Sequence, residues 1–262
     1  MPDLREVEAG TTVITAVPLV DVLEQPQAGI PLVTQSLLGW PALVMGVEGD
    51  WLHIQTLDGS PGWARVDHFT LADVVENGTM IEIKQTAVPL YQGTTQVATL
   101  YLGSRLLLLE ADGDFYQVAL PNGEQGLIAR NHAVILNNSA HCSPQEVLRV
   151  ANQFTGAPYL WGGMSVQGID CSGLTYMSYF SQGYQLPRNA QDQFKVGCPV
   201  AKENLKAGDL VFFSTIDPGP SHVGIYLGDE LFLNARSKEG VTVTSFNDAY
   251  FAPRYLGARR YV

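Results

Sequence analysis

Cys171 and His222 are residues of the types that nucleophilic catalysis at a carbonyl carbon requires. Cys171 follows Gly168-Ile169-Asp170, at a position where a helix is predicted to begin. Backbone N–H groups and the positive end of the helix dipole favour a thiolate there, and the same groups can stabilise an oxyanion. The alternative for Cys171 alone is a buried, inert cysteine, which is the more common role of a lone cysteine.

His222 opens a predicted strand, and a second strand returns after a short loop at Leu227-Gly228-Asp229. A three-residue loop there sets His222 opposite Asn234, on the same face of the hairpin. A cysteine nucleophile needs a general base whose imidazole is oriented by a polar side chain, and this pair fits that arrangement. Taken alone, His222 also fits an ordinary surface or core histidine.

The elements that must position these residues are predicted from Ser143 onward. Ser143 is a helix N-cap, with Pro144 in the first turn and Glu146 completing a capping box. A second helix begins at Asp170-Cys171 and ends near Gly183. The predicted strands that follow are Leu210 to Phe213, His222 to Leu227, Leu231 to Ala235, Val241 to Thr244 and Tyr255 to Val262. Helices followed by an antiparallel set of strands indicate an α+β domain.

The first half of the chain contains an internal repeat, in which Leu38 to Gly62 aligns with Leu102 to Gly126. In this alignment Asp58-Gly59 meets Asn122-Gly123. Apolar alternation around such a pair is typical of a hairpin closed by a type I′ turn. The repeat therefore predicts two small β-barrels of about 60 residues each, a size that is marginal for independent stability.

Composition limits the classes of function. The chain has 262 residues, of which 46% are hydrophobic and 16% charged, and these values exclude a disordered chain or a coiled coil. A formal net charge of −11 offers no basic surface for nucleic acid, and no apolar run approaches the ~20 residues of a membrane helix. An odd number of cysteines, three, argues against a disulfide framework. His141-Cys142 has no second pair of metal ligands, so no metal site is expected, and no cofactor is expected either.

Residues Met1 to Glu6 lack a basic start followed by an apolar stretch, so the sequence predicts a cytoplasmic protein. The alternative is an exported protein whose signal segment lies outside this sequence. The sequence favours no particular oligomeric state.

Several ordered motifs in the second half of the chain resemble the NlpC/P60 cysteine peptidases. The motifs are Pro158 to Gly163, Asp170 to Gly173, Leu186 to Arg188, Ala207 to Leu210 with Phe212, Ser221 to Tyr226, and Phe251 to Arg260. The resemblance runs from Ser143 to the end of the chain. It implies a papain-like α+β fold and cleavage of peptidoglycan stem peptides, typically at the γ-D-glutamyl bond to the following diamino acid.

Carried over by motif, Cys171 is the nucleophile and His222 is the base. The third polar residue falls at Asn234, where this family most often has His. An asparagine can still accept the imidazole N–H and fix its tautomer, as in papain-like sites. We expect this departure to affect the pH profile more than the chemistry.

The resemblance also suggests residues that contact the substrate. Tyr159 is a candidate to contact the nucleophile or the oxyanion, and Asp170 and Ser172 are candidates to bind the substrate backbone. Arg188 has two equally weighted interpretations, a buried ion-pair partner or a substrate contact.

The repeated N-terminal units resemble bacterial SH3 domains, and their tandem arrangement is similar to the dipeptidyl-peptidase VI type within the family. In that type the first unit walls the cleft and selects a free N-terminal L-Ala, whose amine needs acceptors. Glu24, Asp58 and Ser60 are the candidates, although most surface carboxylates are simply solvated.

The sequence therefore predicts two SH3-like β-barrels at residues 1–76 and 77–138, and a papain-like α+β catalytic domain at residues 139–262. The predicted function is hydrolysis of the γ-D-glutamyl–diamino acid bond in peptidoglycan-derived peptides with a free N-terminal L-Ala, in cell-wall recycling. The alternative is a wall-binding protein with a decayed, non-catalytic peptidase domain. Intact Cys171 and His222 favour the enzyme, and Asn234 keeps the alternative open.

Overall fold

The computed structural model describes residues 4–72, 78–136, 142–216 and 218–262. Two compact units divide the chain, the first ending at Asn138 and the second beginning at Ser139. The boundary predicted at residues 76 and 77, and His141, lie outside the described residues. No helix in the described part of the chain is long and apolar enough to cross a lipid bilayer.

Within residues 4–72, seven short antiparallel strands form the first sheet. They are β1 (Thr12–Thr15), β2 (Leu19–Leu23), β3 (Leu32–Leu37), β4 (Pro41–Glu48), β5 (Trp51–Gln55), β6 (Pro61–Arg65) and β7 (Phe69–Leu71). Their order in the sheet is β3-β2-β6-β5-β4-β1-β7. Alternate side chains point inward and build one core of Val, Leu, Ile, Ala and Phe.

Within residues 78–136, a second sheet repeats this arrangement. Its strands are β8 (Met80–Ile83), β9 (Ala87–Gln92), β10 (Thr95–Tyr101), β11 (Arg105–Asp112), β12 (Phe115–Ala119), β13 (Gln125–Ala129) and β14 (Ala133–Ile135). The order β10-β9-β13-β12-β11-β8-β14 is that of the first sheet with every strand number raised by seven. The sequence repeat is therefore also a repeat of structure.

The turns that close the repeated hairpins differ from the predicted type. Gly59 and Gly123 have φ of 86° and 87°, whereas the residue before each glycine has negative φ. The N–H of Thr56 donates to the carbonyl of Ser60, which leaves three residues in the loop. A type I′ turn needs positive φ at both central residues, so that prediction is wrong, and one left-handed glycine in a three-residue loop closes the hairpin.

Residues 38–40, between β3 and β4 of the first sheet, contact the second sheet. Leu38 belongs to the first repeat but is buried in the core of the second sheet. The indole N–H of buried Trp40 donates to the carbonyl of Gly103 at 2.8 Å, and the N–H of Arg105 donates to the carbonyl of Leu38 at 2.9 Å. Because sheets of about 60 residues bury little apolar surface alone, this junction stabilises both.

The second unit, described over residues 142–216 and 218–262, places three α-helices before a six-stranded antiparallel sheet. The helices are α1 (Pro144–Asn152), α2 (Cys171–Phe180) and α3 (Ala190–Lys195), and a short pair of strands, β15 (Met164–Ser165) and β16 (Gly168–Ile169), precedes α2. The sheet contains β17 (Cys198–Val200), β18 (Leu210–Phe213), β19 (His222–Gly228), β20 (Leu231–Arg236), β21 (Gly240–Ser245) and β22 (Tyr255–Arg260). Its order is β17-β22-β18-β19-β20-β21, and α2 packs against β19 and β20.

The predicted helix starts are confirmed. Ser143 caps α1, its hydroxyl accepting from the N–H of Glu146 at 3.3 Å, and Asp170 caps α2. Helix α2 ends at Phe180 rather than near Gly183. The predicted strands of the sheet are present with ends shifted by one or two residues, whereas α3 and the three-residue β17 were not predicted.

The junction in the first unit can be tested with two glycines. Gly39 has φ of 79°, and a Cβ added there would lie 1.9 Å from the carbonyl oxygen of Arg105, whereas a Cβ at Gly10, with φ of 93°, would meet no atom within 4 Å. We expect Gly10→Ala to lower the free energy of unfolding by about 1–2 kcal/mol, from backbone strain alone. Gly39→Ala adds a backbone clash and should lower it by about 3 kcal/mol or more. Urea denaturation of both variants measures this, and equal losses would contradict the proposed role of the junction.

Candidate active site

The carboxylate of Asp170 fixes the start of α2. Asp170 is 7% exposed; its Oδ1 accepts from the N–H of Gly173 at 2.6 Å, and its Oδ2 accepts from the N–H of Gly162 at 2.8 Å. Arg188, also buried, donates Nη1 to Oδ1 at 3.0 Å and Nη2 to Oδ2 at 2.8 Å. A cap held by a buried bidentate ion pair sets the backbone position of the next residue, Cys171.

Ser172 and Arg188 share the same hydrogen-bond network. The hydroxyl of Ser172 donates to Asp170 Oδ1 at 3.2 Å and accepts from Arg188 Nη1 at 3.0 Å, while Arg188 Nη2 donates to the carbonyl of Gly163 at 3.4 Å. Of the two interpretations of Arg188, these contacts support the buried ion pair. Binding of the substrate backbone by Asp170 and Ser172 stays a prediction.

The Cys171 thiol is buried, with 8% of the residue exposed. Burial raises the pKa of this thiol to about 12, and the carboxylate of Asp170 acts in the same direction, against the backbone N–H groups of Val223 and Ser172. The expectation of a lowered pKa is therefore wrong for the free enzyme, because loss of water outweighs the helix N-terminus. The thiol is neutral at pH 7 and needs a base to activate it.

His222, at the start of β19, can supply that base. Burial lowers the pKa of its imidazole to about 4, and the positive charge of Arg236 acts in the same direction. The hydrogen bond to Asn234 opposes this shift. The hydrogen bond from the backbone of Val223 to Cys171 places the sulfur beside the first residues of β19. At neutral pH a neutral thiol therefore lies beside the strand that begins with a neutral imidazole.

Asn234 fixes which imidazole nitrogen is free. Asn234 is fully buried, and its Oδ1 lies 2.9 Å from His222 Nε2. Its Nδ2 donates to the carbonyl of Thr242 at 3.2 Å and to the hydroxyl of Thr244 at 2.8 Å. Because those acceptors hold the amide nitrogen, the amide oxygen faces the imidazole and Nε2 carries the proton. Nδ1 is then the unprotonated atom that can accept the thiol proton.

Thr244 is a supporting residue that the sequence interpretation missed. Asn234 pairs with Thr242 across the hairpin of β20 and β21, so Thr242 and Thr244 share a face with it. That alternation in the predicted strand Val241 to Thr244 was the available signal.

The hairpin of β19 and β20 has a different register from the predicted one. Ile225 pairs with Leu233, and Asp229 and Glu230 have φ of 50° and 57°, as in a two-residue type I′ turn. The predicted three-residue loop at residues 227–229, and the direct pairing of His222 with Asn234, are therefore wrong. The turn depends on an aspartate and a glutamate in the left-handed region, which their residue types do not favour.

The observed pairing, continued by one residue, sets Gly224 opposite Asn234. A shift of two residues keeps every side chain on its face, so His222 and Asn234 meet along the diagonal. Gly224 provides the room, since a Cβ there would lie 2.7 Å from the ring of Phe232 and 3.2 Å from the Cβ of Asn234.

Tyr159 lies beside the nucleophile. It forms an isolated β-bridge with Ile169, two residues before Cys171. Burial, Cys171 and Asp170 all raise the pKa of its hydroxyl, which therefore stays a neutral hydrogen-bond donor. This position is compatible with the predicted contact to the nucleophile or the oxyanion.

The candidates Glu24, Asp58 and Ser60 belong to the first unit. Asp58 and Ser60 lie in the turn between β5 and β6, and the carboxylate of Asp58 accepts from the hydroxyls of Thr34 and Thr56 and from the N–H of Ser60. These contacts give Asp58 a structural role in its own turn. Glu24 is exposed after β2. Binding of a substrate amine by these three residues stays a prediction.

In the part of the chain that the structure describes, no three His, Cys, Asp or Glu side chains lie close enough together to hold a metal ion. The reacting groups derived above are the thiol, the imidazole and the amide that orients it.

Replacing Arg188 separates the two interpretations of this residue by stability. Arg188→Met leaves the Asp170 carboxylate buried without its partner, and we expect the free energy of unfolding of the second unit to fall by about 3–5 kcal/mol. Arg149→Met is the matched control, since it breaks the half-exposed ion pair with Glu146 and should cost less than about 1 kcal/mol. Thermal denaturation measures both; an Arg188→Met variant as stable as the control would instead support a substrate contact.

Replacing Asn234 tests the orientation of the base. Asn234→Ala removes the acceptor at Nε2, and we expect kcat to fall about 10- to 100-fold with KM nearly unchanged, because the imidazole then samples unproductive orientations and tautomers. Asn234→His restores a hydrogen-bond acceptor and should retain activity. Steady-state kinetics on a stem peptide give both constants, and an alanine variant with wild-type kcat would show that His222 is supported elsewhere.

Known proteins are similar to this chain in sequence. Residues 156–260 match the model of the NlpC/P60 family. A curated relative, the gamma-D-glutamyl-L-lysine dipeptidyl-peptidase of Bacillus cereus, is 31% identical over 252 residues, covering 88% of this chain and 75% of the relative. The murein DD-endopeptidase MepS/murein LD-carboxypeptidase of Escherichia coli K12 is 40% identical over 116 residues, covering 43% of this chain and 61% of that protein.

A solved structure extends the similarity to the fold. The crystal structure of an NlpC/P60 family protein from Bacillus cereus ATCC 10987 has a TM-score of 0.88 with this chain, at 26% identity, and covers 96% of this chain and 99% of that one. With a curated relative matched over most of its length and a structural neighbour from the same family, this chain belongs to the NlpC/P60 family and is a cysteine peptidase.

Proposed function

We propose that this peptidase acts on the cell wall, hydrolysing the γ-D-glutamyl–diamino acid bond of peptidoglycan stem peptides and releasing L-Ala-γ-D-Glu. The observation that carries the proposal is the extent of the match to the gamma-D-glutamyl-L-lysine dipeptidyl-peptidase, which takes in 88% of this chain. The second unit, from Ser139 to Val262, is less than half of the chain, so that match includes most of the first unit as well. The match to the MepS endopeptidase covers only 43%.

Acylation begins with a neutral thiol. In the proposed mechanism Cys171 Sγ bonds to the γ-carbonyl carbon of D-Glu while the thiol proton passes to His222 Nδ1. Backbone N–H groups at the start of α2, with the Tyr159 hydroxyl, stabilise the oxyanion. The imidazolium then gives its proton to the leaving nitrogen, the C–N bond breaks, and the peptide's amine portion departs, leaving a thioester on Cys171.

Deacylation reverses the proton path. Water attacks the thioester carbonyl carbon as Nδ1 takes one of its protons, and the C–S bond breaks when that proton returns to the sulfur. Throughout, the hydrogen bond from Nε2–H to the amide oxygen of Asn234 holds the imidazole in one tautomer. Asn234 therefore supports the base in the manner expected of the usual histidine, which removes the reason to regard the domain as decayed.

The two N-terminal sheets fit the SH3-like barrels that the sequence predicts, since their short strands recur in the same order. The order of helices and strands in the second unit fits a papain-like domain. We propose that the enzyme prefers peptides with a free L-Ala amine. Cleavage of released muropeptides in recycling, and cytoplasmic localisation, belong to the same proposal.

The substrate preference is tested with L-Ala-γ-D-Glu-meso-diaminopimelate and its N-acetylated form. Loss of one charge-assisted contact to the amine should lower kcat/KM on the acetylated peptide about 10- to 100-fold. Mass spectrometry should identify L-Ala-γ-D-Glu as a product, and Cys171→Ala should produce none while remaining folded.

Equal kcat/KM on the two peptides, or efficient digestion of intact peptidoglycan, would contradict the free-amine preference. Near wild-type turnover by Cys171→Ala would contradict the mechanism itself. Cleavage at any bond other than the γ-D-glutamyl bond would overturn the proposed substrate class.

A further inference from the structure

Arg236 is the charged residue of β20, the strand that also carries Asn234. It ends the strand and shares a face with Asn234, two residues earlier, whose Oδ1 lies 2.9 Å from His222 Nε2. The side chain therefore starts on the face of the sheet that carries the proposed catalytic groups.

Phe251 connects Arg236 to His222. The guanidinium carbon of Arg236 lies 5.4 Å from the centre of the Phe251 ring, and the Phe251 and His222 ring centres are 5.2 Å apart. A guanidinium over an aromatic face is held in position by electrostatic attraction while its N–H groups stay available at the edges. Phe251, packed against both side chains, therefore holds the Arg236 guanidinium near the His222 imidazole.

The ion pair that Arg236 makes within the chain is weak. Its Nε lies 3.3 Å from Glu239 Oε2, and the two side chains are 27% and 47% exposed. Partly exposed pairs of this kind contribute little, because water solvates both charges. The guanidinium can exchange Glu239 for another carboxylate, and its planar fork binds carboxylates with two hydrogen bonds.

The start of β21, beyond the turn after Arg236, is hydrogen-bonded to the segment that leads to Tyr159. Val241 donates its N–H to the carbonyl of Ala157 at 2.9 Å, and Gly156 donates to the carbonyl of Val241 at 2.9 Å. The strand that returns from the turn after Arg236 is therefore held against the segment that leads to Tyr159.

Proton transfer determines which part of the substrate meets Arg236. His222 must deliver its proton to the leaving nitrogen, so the departing amine portion lies beside the imidazole rather than beside the thioester. In a γ-D-glutamyl–diamino acid bond, the leaving nitrogen is attached to the Cα that carries the carboxyl group of the diamino acid. That carboxyl carbon is two bonds from the leaving nitrogen and therefore close to the imidazole, which Phe251 connects to Arg236.

We propose that Arg236 binds the free α-carboxylate of the diamino acid, and so selects stem peptides that end at that residue over peptides in which it is amide-linked to a further residue. The proposal rests on the proposed function, because it takes the γ-D-glutamyl bond as the scissile one. It makes Arg236 a specificity-determining residue, separate from the groups that transfer protons.

The test compares L-Ala-γ-D-Glu-L-Lys with its C-terminal amide, using the wild type, Arg236→Gln and Arg236→Lys. A charge-assisted bidentate contact predicts that the wild type favours the acid about 10- to 100-fold in kcat/KM. In Arg236→Gln, kcat/KM should fall on the acid and stay unchanged on the amide, so the preference for the acid disappears. Arg236→Lys should retain part of the preference. Assays at pH 8 keep His222 neutral in every variant, since its pKa is about 4 and the ordinary value is 6.5.

Glu239→Gln is the matched control, because it removes the internal partner of Arg236 and should keep or increase the preference for the acid. Equal loss of activity on acid and amide in Arg236→Gln would overturn the proposal, as would a wild type without preference between them. A preference that instead follows amidation of the D-Glu α-carboxylate would also overturn it, by placing Arg236 on the other side of the scissile bond. If the wild type cleaves neither peptide, the proposed function itself fails.

Discussion

The geometry of the active site depends on one buried carboxylate, that of Asp170. Its two oxygens accept hydrogen bonds from Gly162, from the first turn of α2 and from both ends of the Arg188 guanidinium. A buried carboxylate without such partners would be strongly unfavourable, so the network forms as a whole or not at all. The loop before the nucleophile, the start of its helix and the segment that carries Arg188 are thereby held together, and the position of Cys171 follows from them.

The burial that fixes the position of Cys171 also changes the acid–base properties of the thiol and the imidazole. Low solvent access raises the pKa of the Cys171 thiol to about 12 and lowers that of the His222 imidazole to about 4. Both shifts favour the neutral form of each group, so the free enzyme holds a thiol and an imidazole rather than an ion pair. The proposed reaction therefore uses His222 as a general base at the moment of attack. Asn234 is sufficient as its partner because a neutral imidazole needs only an acceptor at Nε2.

In the first unit, each of the two small sheets is stabilised by contacts with the other. Each repeat closes a sheet of short strands, and neither buries much apolar surface. Leu38 and Trp40 cross from one repeat to the other, and their backbone and indole hydrogen bonds fix the approach. Gly39 lies between them, where any side chain would meet the backbone of Arg105. The segment between β3 and β4 is thus part of the core of the second sheet as well as a connection within the first.

The sequence alone determined whatever depends on neighbours along the chain. Ser143 and Asp170 identify two helix starts because capping uses residues three positions apart, and alternation identifies the faces of β19 and β20 because the period of a strand is two. Local spacing made Cys171, His222 and Asn234 candidates, and the family resemblance assigned their roles. The shared face of His222 and Asn234 was predicted correctly despite the error in register. The tertiary structure decided the rest. The turn at Asp229 and Glu230 adopts a backbone conformation that their residue types do not favour. Arg188 and Asp170 form their ion pair only in the folded chain, and burial raises the pKa of the Cys171 thiol. The turn conformation, the ion pair and the thiol pKa all depend on residues that are distant in sequence but close in the fold. The spacing of residues along the chain does not indicate which groups will be in contact or which will be buried.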